Sequence, residues 1–358
     1  MTSTTEPGTP ANVVGIGLIG GSIGMALRQR GWKVLGTDND PAVTSKARAL
    51  GAIDEIGLDP DAAITFIATP VTSIAENARR ALDAGCRVVT DAGSVKAPVV
   101  EAVGSPRFVG GHPMAGSEQE GVEGADPELF EGAVWVLTPT NDTAGDAYTQ
   151  VASVVTSFGA EVVAVAPDRH DALVAVVSHV PHLTAATLMG VAEMRAEEHA
   201  ALLRLAAGGF RDMTRIASGH PAIWQDICRE NRGAIIDALD ALIEGLVDMR
   251  DVVDKGDGAA LIDRLERARA ARANLPSRVA RPSDLAEVRI PVPDRPGVLA
   301  EVTTLAAELG VNTADIEIAH SAEGNRGVVI MLVEASNADL FRGGLMARGY
   351  RPSVQRLG

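Results

Sequence analysis

Gly15-Ile16-Gly17-Leu18-Ile19-Gly20-Gly21-Ser22 is a glycine turn set between two apolar runs. Asn12 to Gly17 opens as a short strand, Ile23 to Arg30 reads as a helix stopped by Gly31, and Lys33 to Thr37 reads as a second strand closing on Asp38. A G-x-G-x-x-G turn in that setting constrains the fold more than any other stretch, because strand, turn, helix, strand and acid together make a dinucleotide-binding βαβ unit. Gly15 permits the tight turn, Gly17 lets backbone reach a pyrophosphate, and Gly20 allows close packing of helix on strand. Leu18 and Ile19 lie within the turn and are expected to touch the cofactor, whose phosphates would meet free N–H groups at the helix N-terminus. Asp38 can accept both adenosine ribose hydroxyls and would repel a 2′-phosphate. No arginine follows it directly, so NAD is favoured over NADP.

Strand and helix continue to alternate. Ile64 to Ala68 is a strand ending at Thr69-Pro70, Ser73 to Ala84 a helix, and Arg87 to Thr90 a strand ending in Asp91-Ala92-Gly93-Ser94-Val95-Lys96. A helix over Ala97 to Val103, strands at Phe108 to Gly110, Val134 to Leu137 and Glu161 to Ala164, and a helix over Ala144 to Phe158 complete a mostly parallel, doubly wound α/β sheet. Ligands of such sheets bind beyond the carboxyl ends of the strands. Thr69, Pro70, Ser94 and His112 are therefore expected to gather at one crevice with the glycine turn. The stretch Gly110 to Glu118 (GGHPMAGSE) is the candidate chemical centre. Pro113 pushes His112 to extended backbone, and the surrounding glycines suit a loop that a ligand approaches closely. An imidazole held there can move a proton near neutral pH. Ser94 could cap the helix that follows, or face the cofactor or the histidine.

Net charge −15, spread along the chain, argues against nucleic acid or an anionic membrane as partner, and 3% aromatic residues leave little for base stacking. Cys86 and Cys228 show no metal spacing, and no metal is expected; two isolated thiols suit a reducing cytoplasm. The polar start of the chain is unlike a signal peptide, and no uninterrupted apolar run of about 18 residues is present.

From Arg169 the pattern turns to long helices. Asp171 to Met194 is apolar nearly all round, as in a buried helix, with Ser178-His179-Val180-Pro181-His182 inside it, where Pro181 should kink or interrupt the helix. His179 and His182 could share a face, either as ligand groups or in helix packing. Gly208 to Ile216 (GGFRDMTRI) opens onto Arg211 and Arg215, whose guanidinium forks suit a carboxylate. Ile235, Leu239, Leu242, Leu246, Met249 and Val253 make a narrow apolar seam that suits a subunit interface or packing within the chain. After a linker come strand, helix, two strands, helix and strand, the βαββαβ order of a ferredoxin-like unit, which carries no acid/base cluster of its own. The expected boundaries are a tail at 1–11, a Rossmann NAD-binding domain at 12–168, a helical domain at 169–275, a linker at 276–284 and the last unit at 285–358.

Taken together, GIGLIGGS (15–22), DAGSVK (91–96), GHPMAGSE (111–118), SHVPH (178–182), GGFRDMTRI (208–216) and Trp224 with Asp226 resemble the prephenate/arogenate dehydrogenases of tyrosine biosynthesis. The last unit, with Asp294-Arg295-Pro296-Gly297-Val298-Leu299, looks like an ACT domain. The resemblance implies NAD-dependent oxidative decarboxylation of prephenate, with His112 taking the proton of the C4 hydroxyl and Ser94 bonding that hydroxyl or orienting His112. It implies that Arg215 holds a substrate carboxylate, with Arg211 as a further candidate, that His179 and His182 line the pocket, and that Trp224 supports it. Glu118 would gate the mouth of the pocket or orient arginine or histidine partners, and Ser117 would touch the substrate. It further implies an intertwined homodimer, and a tyrosine effector site at Gly297 and Asn312 unless that unit serves dimerisation alone. With only a short segment before the glycine turn, the chain reads as a monofunctional dehydrogenase. Arogenate is the rival substrate. A lysine-dependent hydroxy-acid dehydrogenase is disfavoured because Asp171 to Ala222 contains no lysine. A non-catalytic NAD and amino-acid sensor is the rival of a different class.

Overall fold

The computed structural model describes residues 7–116, 119–198, 202–219, 221–274, 285–293, 295–320 and 326–357. The first strand, β1 (Pro10–Val14), starts inside the expected tail, so Pro10 and Ala11 belong to the sheet. Helix α1 (Leu18–Gln29) begins on Gly17, five residues before the sequence reading placed it, because glycines that propensity counts against a helix are buried in its packed face. After β2 (Lys33–Thr37) come α2 (Pro41–Ala49) and β3 (Glu55–Ile56), neither of them expected. The signal for α2 was present: Asp40 accepts from the Ala42 N–H, and Pro41 occupies the first turn.

Next follow β4 (Ile64–Ile67), α3 (Val71–Asp83), β5 (Val89–Asp91), α4 (Ala97–Val103), β6 (Phe108–Pro113), β7 (Val134–Thr138), α5 (Gly145–Ser157) and β8 (Glu161–Ala164). These strands form one eight-stranded sheet in the order β3-β2-β1-β4-β5-β6-β7-β8. The chain reverses direction of travel across the sheet between β1 and β4, the switch point where open α/β sheets bind ligands. Every residue of β4 is buried, as expected of a strand covered on both faces. One pairing departs from the parallel expectation. β6 and β7 are antiparallel, with His112 opposite Val136 and Pro113 opposite Trp135. His112 therefore sits on a strand rather than in a loop, and Pro113, which cannot donate to a ladder, comes at the strand's last position. Phe66, Phe130, Trp135 and Phe158 pack as a fully buried aromatic cluster under this part of the sheet.

The helical segment comprises α6 (Pro167–Val174), α7 (Val180–Glu198), α8 (Gly208–Thr214), α9 (Ala222–Glu230), α10 (Arg232–Asp254) and α11 (Gly258–Ala273). Helix α11, capped by Asp257, was not expected from the sequence. Instead of a kink at Pro181, a π-helical turn at Ala175–His179 joins α6 to α7, and Pro181 then falls in the first turn of α7, where a missing N–H costs little. The run Pro167–Ala196 is long and apolar enough to cross a membrane, and 28% of its most apolar window is buried. Val176, Val177, Val191 and Met194 are exposed, so the helix is not buried all round as its composition suggested. Its inner face carries His170, Asp171 and His179 in side-chain hydrogen bonds, which is the arrangement of a helix packed on protein.

The chain divides into two compact units, Met1–Thr187 with Ile216–Glu244, and Leu188–Arg215 with Gly245–Gly358. The boundaries between them fall within α7, at Arg215–Ile216 and within α10. Within the second unit, β9 (Leu285–Pro293), α12 (Val298–Glu308), β10 (Thr313–His320), β11 (Arg326–Glu334), α13 (Ala338–Ala347) and β12 (Ser353–Arg356) give the anticipated βαββαβ order. Their four antiparallel strands lie in the order β10-β11-β9-β12 over a core that includes Val288, Ile290, Val302, Met331 and Phe341. The expected linker, 276–284, lies outside the described residues.

Candidate active site

At the switch point of the large sheet a cleft of about 580 Å³ is lined by Gly15, Gly17, Asp38, Ala68, Thr69, Pro70 and Arg80, among others. Gly15 has φ +85° and donates its N–H to Thr37 O at 2.8 Å. A Cβ on Gly20 would lie 1.9 Å from Gly15 O, so only glycine lets α1 come this close to the turn. Asp38 Oδ2 accepts the Ile16 N–H at 2.8 Å and Oδ1 the Asp40 N–H at 3.1 Å, which presents its remaining lone pairs at the end of β2. Thr69 Oγ1 is buried in the cleft wall with no hydrogen-bond partner among the described residues, a polar atom suited to a ligand. These features fit a dinucleotide whose pyrophosphate rests on the glycine turn and whose ribose meets Asp38. Leu18 and Ile19 open α1 beside the cleft without being among its lining residues.

His112 lies near the carboxyl end of β6, three strands along from β1, or about 14 Å at ordinary strand spacing. Its Nδ1 is 2.9 Å from His170 Nε2, and His170 Nδ1 is 2.8 Å from Asp171 Oδ1. Asp171 in turn accepts the backbone N–H groups of Lys96 and Ala97, each at 2.8 Å. The first turn of α4 is thus capped by a carboxylate from α6, and the Ser94 hydroxyl makes no cap, contrary to one of the two readings of that residue. Ser94 is half-buried just before α4, and no hydrogen bond joins it to His112 among the described residues.

Beneath the histidine, Lys96 and Asp91 form an ion pair in which both side chains are wholly buried. Lys96 Nζ also donates to Gly111 O at 2.8 Å, and Asp91 accepts the N–H groups of Gly93 and Gly111 at 2.9 and 3.0 Å. A Cβ on Gly111 would lie 2.6 Å from Asp91 O, so glycine is what allows β6 to rest against this pair. Burial, reinforced by the neighbouring His170, the positive charge of Lys96 and His179, holds the His112 imidazole well below the ordinary histidine range and so neutral near pH 7. Burial also lowers the Lys96 ammonium, with Asp91 opposing the shift.

His179, in the π-helical turn, is buried and lies 3.2 Å from Asn231 Nδ2; burial lowers its pKa to about 4. Asn231 also donates to Asp171 O at 2.9 Å and so ties α6 to the α9–α10 junction. His182 stacks on Trp224 with ring centroids 3.7 Å apart and planes 14° from parallel, and His179 meets the same indole edge-on at 6.1 Å. The expected shared face of His179 and His182 is therefore real, with Trp224 between them. Asp226, two residues further along α9, accepts from Thr72 Oγ1 on α3 at 3.2 Å. Arg211 and Arg215 lie in the second unit, at α8 and at the 3-10 turn that follows it. Ser117 and Glu118 lie outside the described residues.

Residues 23–164 match the family model described as the nucleotide-binding domain of prephenate dehydrogenase, and residues 166–267 match its dimerization domain. Together they cover most of the chain. It belongs to the prephenate dehydrogenase family. Among curated relatives, a prephenate dehydrogenase of Bacillus subtilis is 35% identical over 334 residues, 88% of this chain and 90% of the relative. A cyclohexadienyl dehydrogenase of Zymomonas mobilis is 30% identical over 274 residues, 73% of this chain and 94% of the relative. Among solved structures, the prephenate dehydrogenase of A. aeolicus with hydroxyphenyl propionate and NAD+ aligns at TM-score 0.70 and 32% identity, over 75% of this chain and 98% of that one. A Synechocystis arogenate dehydrogenase aligns at TM-score 0.64 and 29% identity, over 74% and 98%. The cofactor is NAD, as in the A. aeolicus structure, an assignment that agrees with Asp38 in the lining of the cleft.

His170, Asp171, Lys96, Asp91 and Asn231 were not singled out by sequence reasoning. Asp91 and Lys96 stand inside a motif that was noticed, but Pro167-Asp168-Arg169-His170-Asp171 reads as an ordinary polar helix start, and only the fold brings it to His112.

Proposed function

We propose that this chain is an NAD-dependent prephenate dehydrogenase, converting prephenate to 4-hydroxyphenylpyruvate on the route to L-tyrosine, as a cytoplasmic homodimer. The observation that carries the reading is the His112 imidazole, set 2.9 Å from His170 on the sheet that also holds the dinucleotide cleft. His112 Nε2 takes the proton of the substrate's C4 hydroxyl. Bound NAD+ supplies the acceptor for the hydride from C4. The bond to the ring carboxylate breaks, carbon dioxide leaves, and its electron pair completes the aromatic ring. The phenolic oxygen then recovers the proton from His112.

Ser94 bonds the C4 hydroxyl and sets its angle to His112. Arg215 forks onto a substrate carboxylate, with Arg211 as a second candidate. His179, His182 and Trp224 wall the ring. Arogenate, with the same ring, is the second reading, kept by the resemblance to the Synechocystis arogenate dehydrogenase and the Zymomonas cyclohexadienyl dehydrogenase.

The C-terminal unit is read as an ACT domain that takes tyrosine. Supporting this is a cavity of about 340 Å³ whose walls include Val292, Arg295, Gly297, Leu299, Ile318 and Val329. Gly297, at φ +88°, opens α12 on that cavity; Asn312 is exposed and not among its lining residues. The test is NADH formation with prephenate and with arogenate in parallel, each with and without tyrosine. Turnover of prephenate alone is the expected result, turnover of arogenate alone moves the assignment, and turnover of neither removes the reading. Tyrosine inhibition lost in a Gly297→Asp variant that still turns over would assign the effector site. Inhibition unchanged in that variant would leave the last unit a dimerisation module.

A further inference from the structure

A histidine is a useful base only in the correct tautomer, and nothing in the reaction chooses it. The geometry points to His170 and Asp171 as the positioning pair that fixes it, an inference resting on the proposed role of His112 as base. Asp171 already accepts two backbone N–H groups, one on each oxygen, at 2.8 Å. A carboxylate so used has no proton to give, so the 2.8 Å contact to His170 must run from His170 Nδ1–H to Asp171 Oδ1. Neutral His170 then carries a lone pair on Nε2, which accepts the His112 Nδ1–H across 2.9 Å. His112 Nε2 is left unprotonated. The reverse orientation would leave His112 with its proton on Nε2, where it could not take one from a hydroxyl.

The pair is built to hold this state. His170 is 1% and Asp171 5% exposed, so water does not compete for their hydrogen bonds. The two imidazoles stand edge to face at 73° with centroids 5.1 Å apart, which lets one ring nitrogen point at the other. Asn231 pins the Asp171 carbonyl at 2.9 Å, and Lys96 is held by Asp91 and Gly111 O as it donates its own N–H to Asp171. A proton arriving on His112 Nε2 makes an imidazolium whose Nδ1–H bond to His170 strengthens, and the Asp171 carboxylate stabilises the charge through that ring. The arrangement follows the logic by which an aspartate orients a catalytic histidine, with a second imidazole interposed.

The test compares the full-length enzyme with His170→Phe, His170→Gln and His112→Asn, using kcat, KM, NAD binding and ¹⁵N NMR of labelled histidines. Phenylalanine fills the site without accepting a hydrogen bond, whereas glutamine keeps an acceptor near the position of Nε2. His170→Phe should lower kcat about 100-fold or more while leaving KM and NAD affinity within about threefold, and His170→Gln should recover most of the loss. In the wild type the His112 signal, identified by its loss in His112→Asn, should report a proton on Nδ1. The inference is overturned if His170→Phe keeps wild-type kcat, if glutamine rescues nothing, or if His112 carries its proton on Nε2. A His112→Asn variant as active as wild type would instead remove the underlying reading of the base. If His170→Phe does not fold, the glutamine variant and the wild-type spectrum still decide.

Discussion

Lys96 donates to the carbonyl of Gly111, the residue before His112, while its ammonium is paired with Asp91 where neither side chain meets solvent. A buried pair of this kind adds little net stability over an apolar substitute, but removing one partner strands the other charge. Lys96→Met should therefore cost about 3–5 kcal/mol and lower the melting temperature by roughly 10 °C. Much of that should return in the Asp91→Asn/Lys96→Met double variant, as thermal unfolding would register. A single variant as stable as wild type would mean the pair is not held as described.

Both His112 and His179 have lowered pKa values, chiefly through burial. An unperturbed histidine base would lose half its activity near pH 6.5; here the acid limb of kcat should fall clearly below that value. Stability follows the same sign. The unfolded chain takes up protons near pH 6.5 and the folded one later, so stability falls as pH drops through this window, down to about 4 for His179. The His179 share is about 3 kcal/mol at full extent. Denaturant unfolding at pH 7 and pH 5 measures it, and equal stability at both would contradict the shift.

Asp38 receives two backbone N–H groups at the end of β2 and lines the cleft, with Arg80 among the residues of the same lining. Asp38→Asn should lower kcat/KM for NAD by about 10- to 100-fold, the worth of charge-assisted hydrogen bonds, and raise the relative use of NADP. Steady-state kinetics with each cofactor checks this.

The apolar seam expected on α10 turns out to be split. Ile235 is buried in the chain's own core and Leu239 packs against it, while Leu246 and Val253 are exposed together with Ile236, Ile243 and Val247. In the family's dimerization domain such an outward stripe suits a second copy. Leu246→Glu/Val253→Glu should shift the sedimentation profile from dimer to monomer; an unchanged dimer would place the interface elsewhere.

The glycine turn, the strand-helix alternation and the βαββαβ order of residues 285–358 were legible because each is a local pattern of spacing and turn residues. The short elements at Pro41–Ala49 and Glu55–Ile56 were not, since neither carries a strong apolar period. His112 was found as a residue but misread as a loop position, because its strand partner is antiparallel and the glycines around it suggested a turn. The greater loss was His170. Its contact with His112 spans 58 residues, and Asp171 meets Lys96 across 75, distances at which sequence spacing carries no information about contact.

The most direct test of the account is a single turnover with His112→Asn, holding NAD and prephenate at saturation and verifying by fluorescence that both still bind. The account predicts NADH formation slowed by about 10²- to 10⁴-fold with binding intact, the usual worth of a positioned general base. NADH formation at the wild-type rate would contradict it.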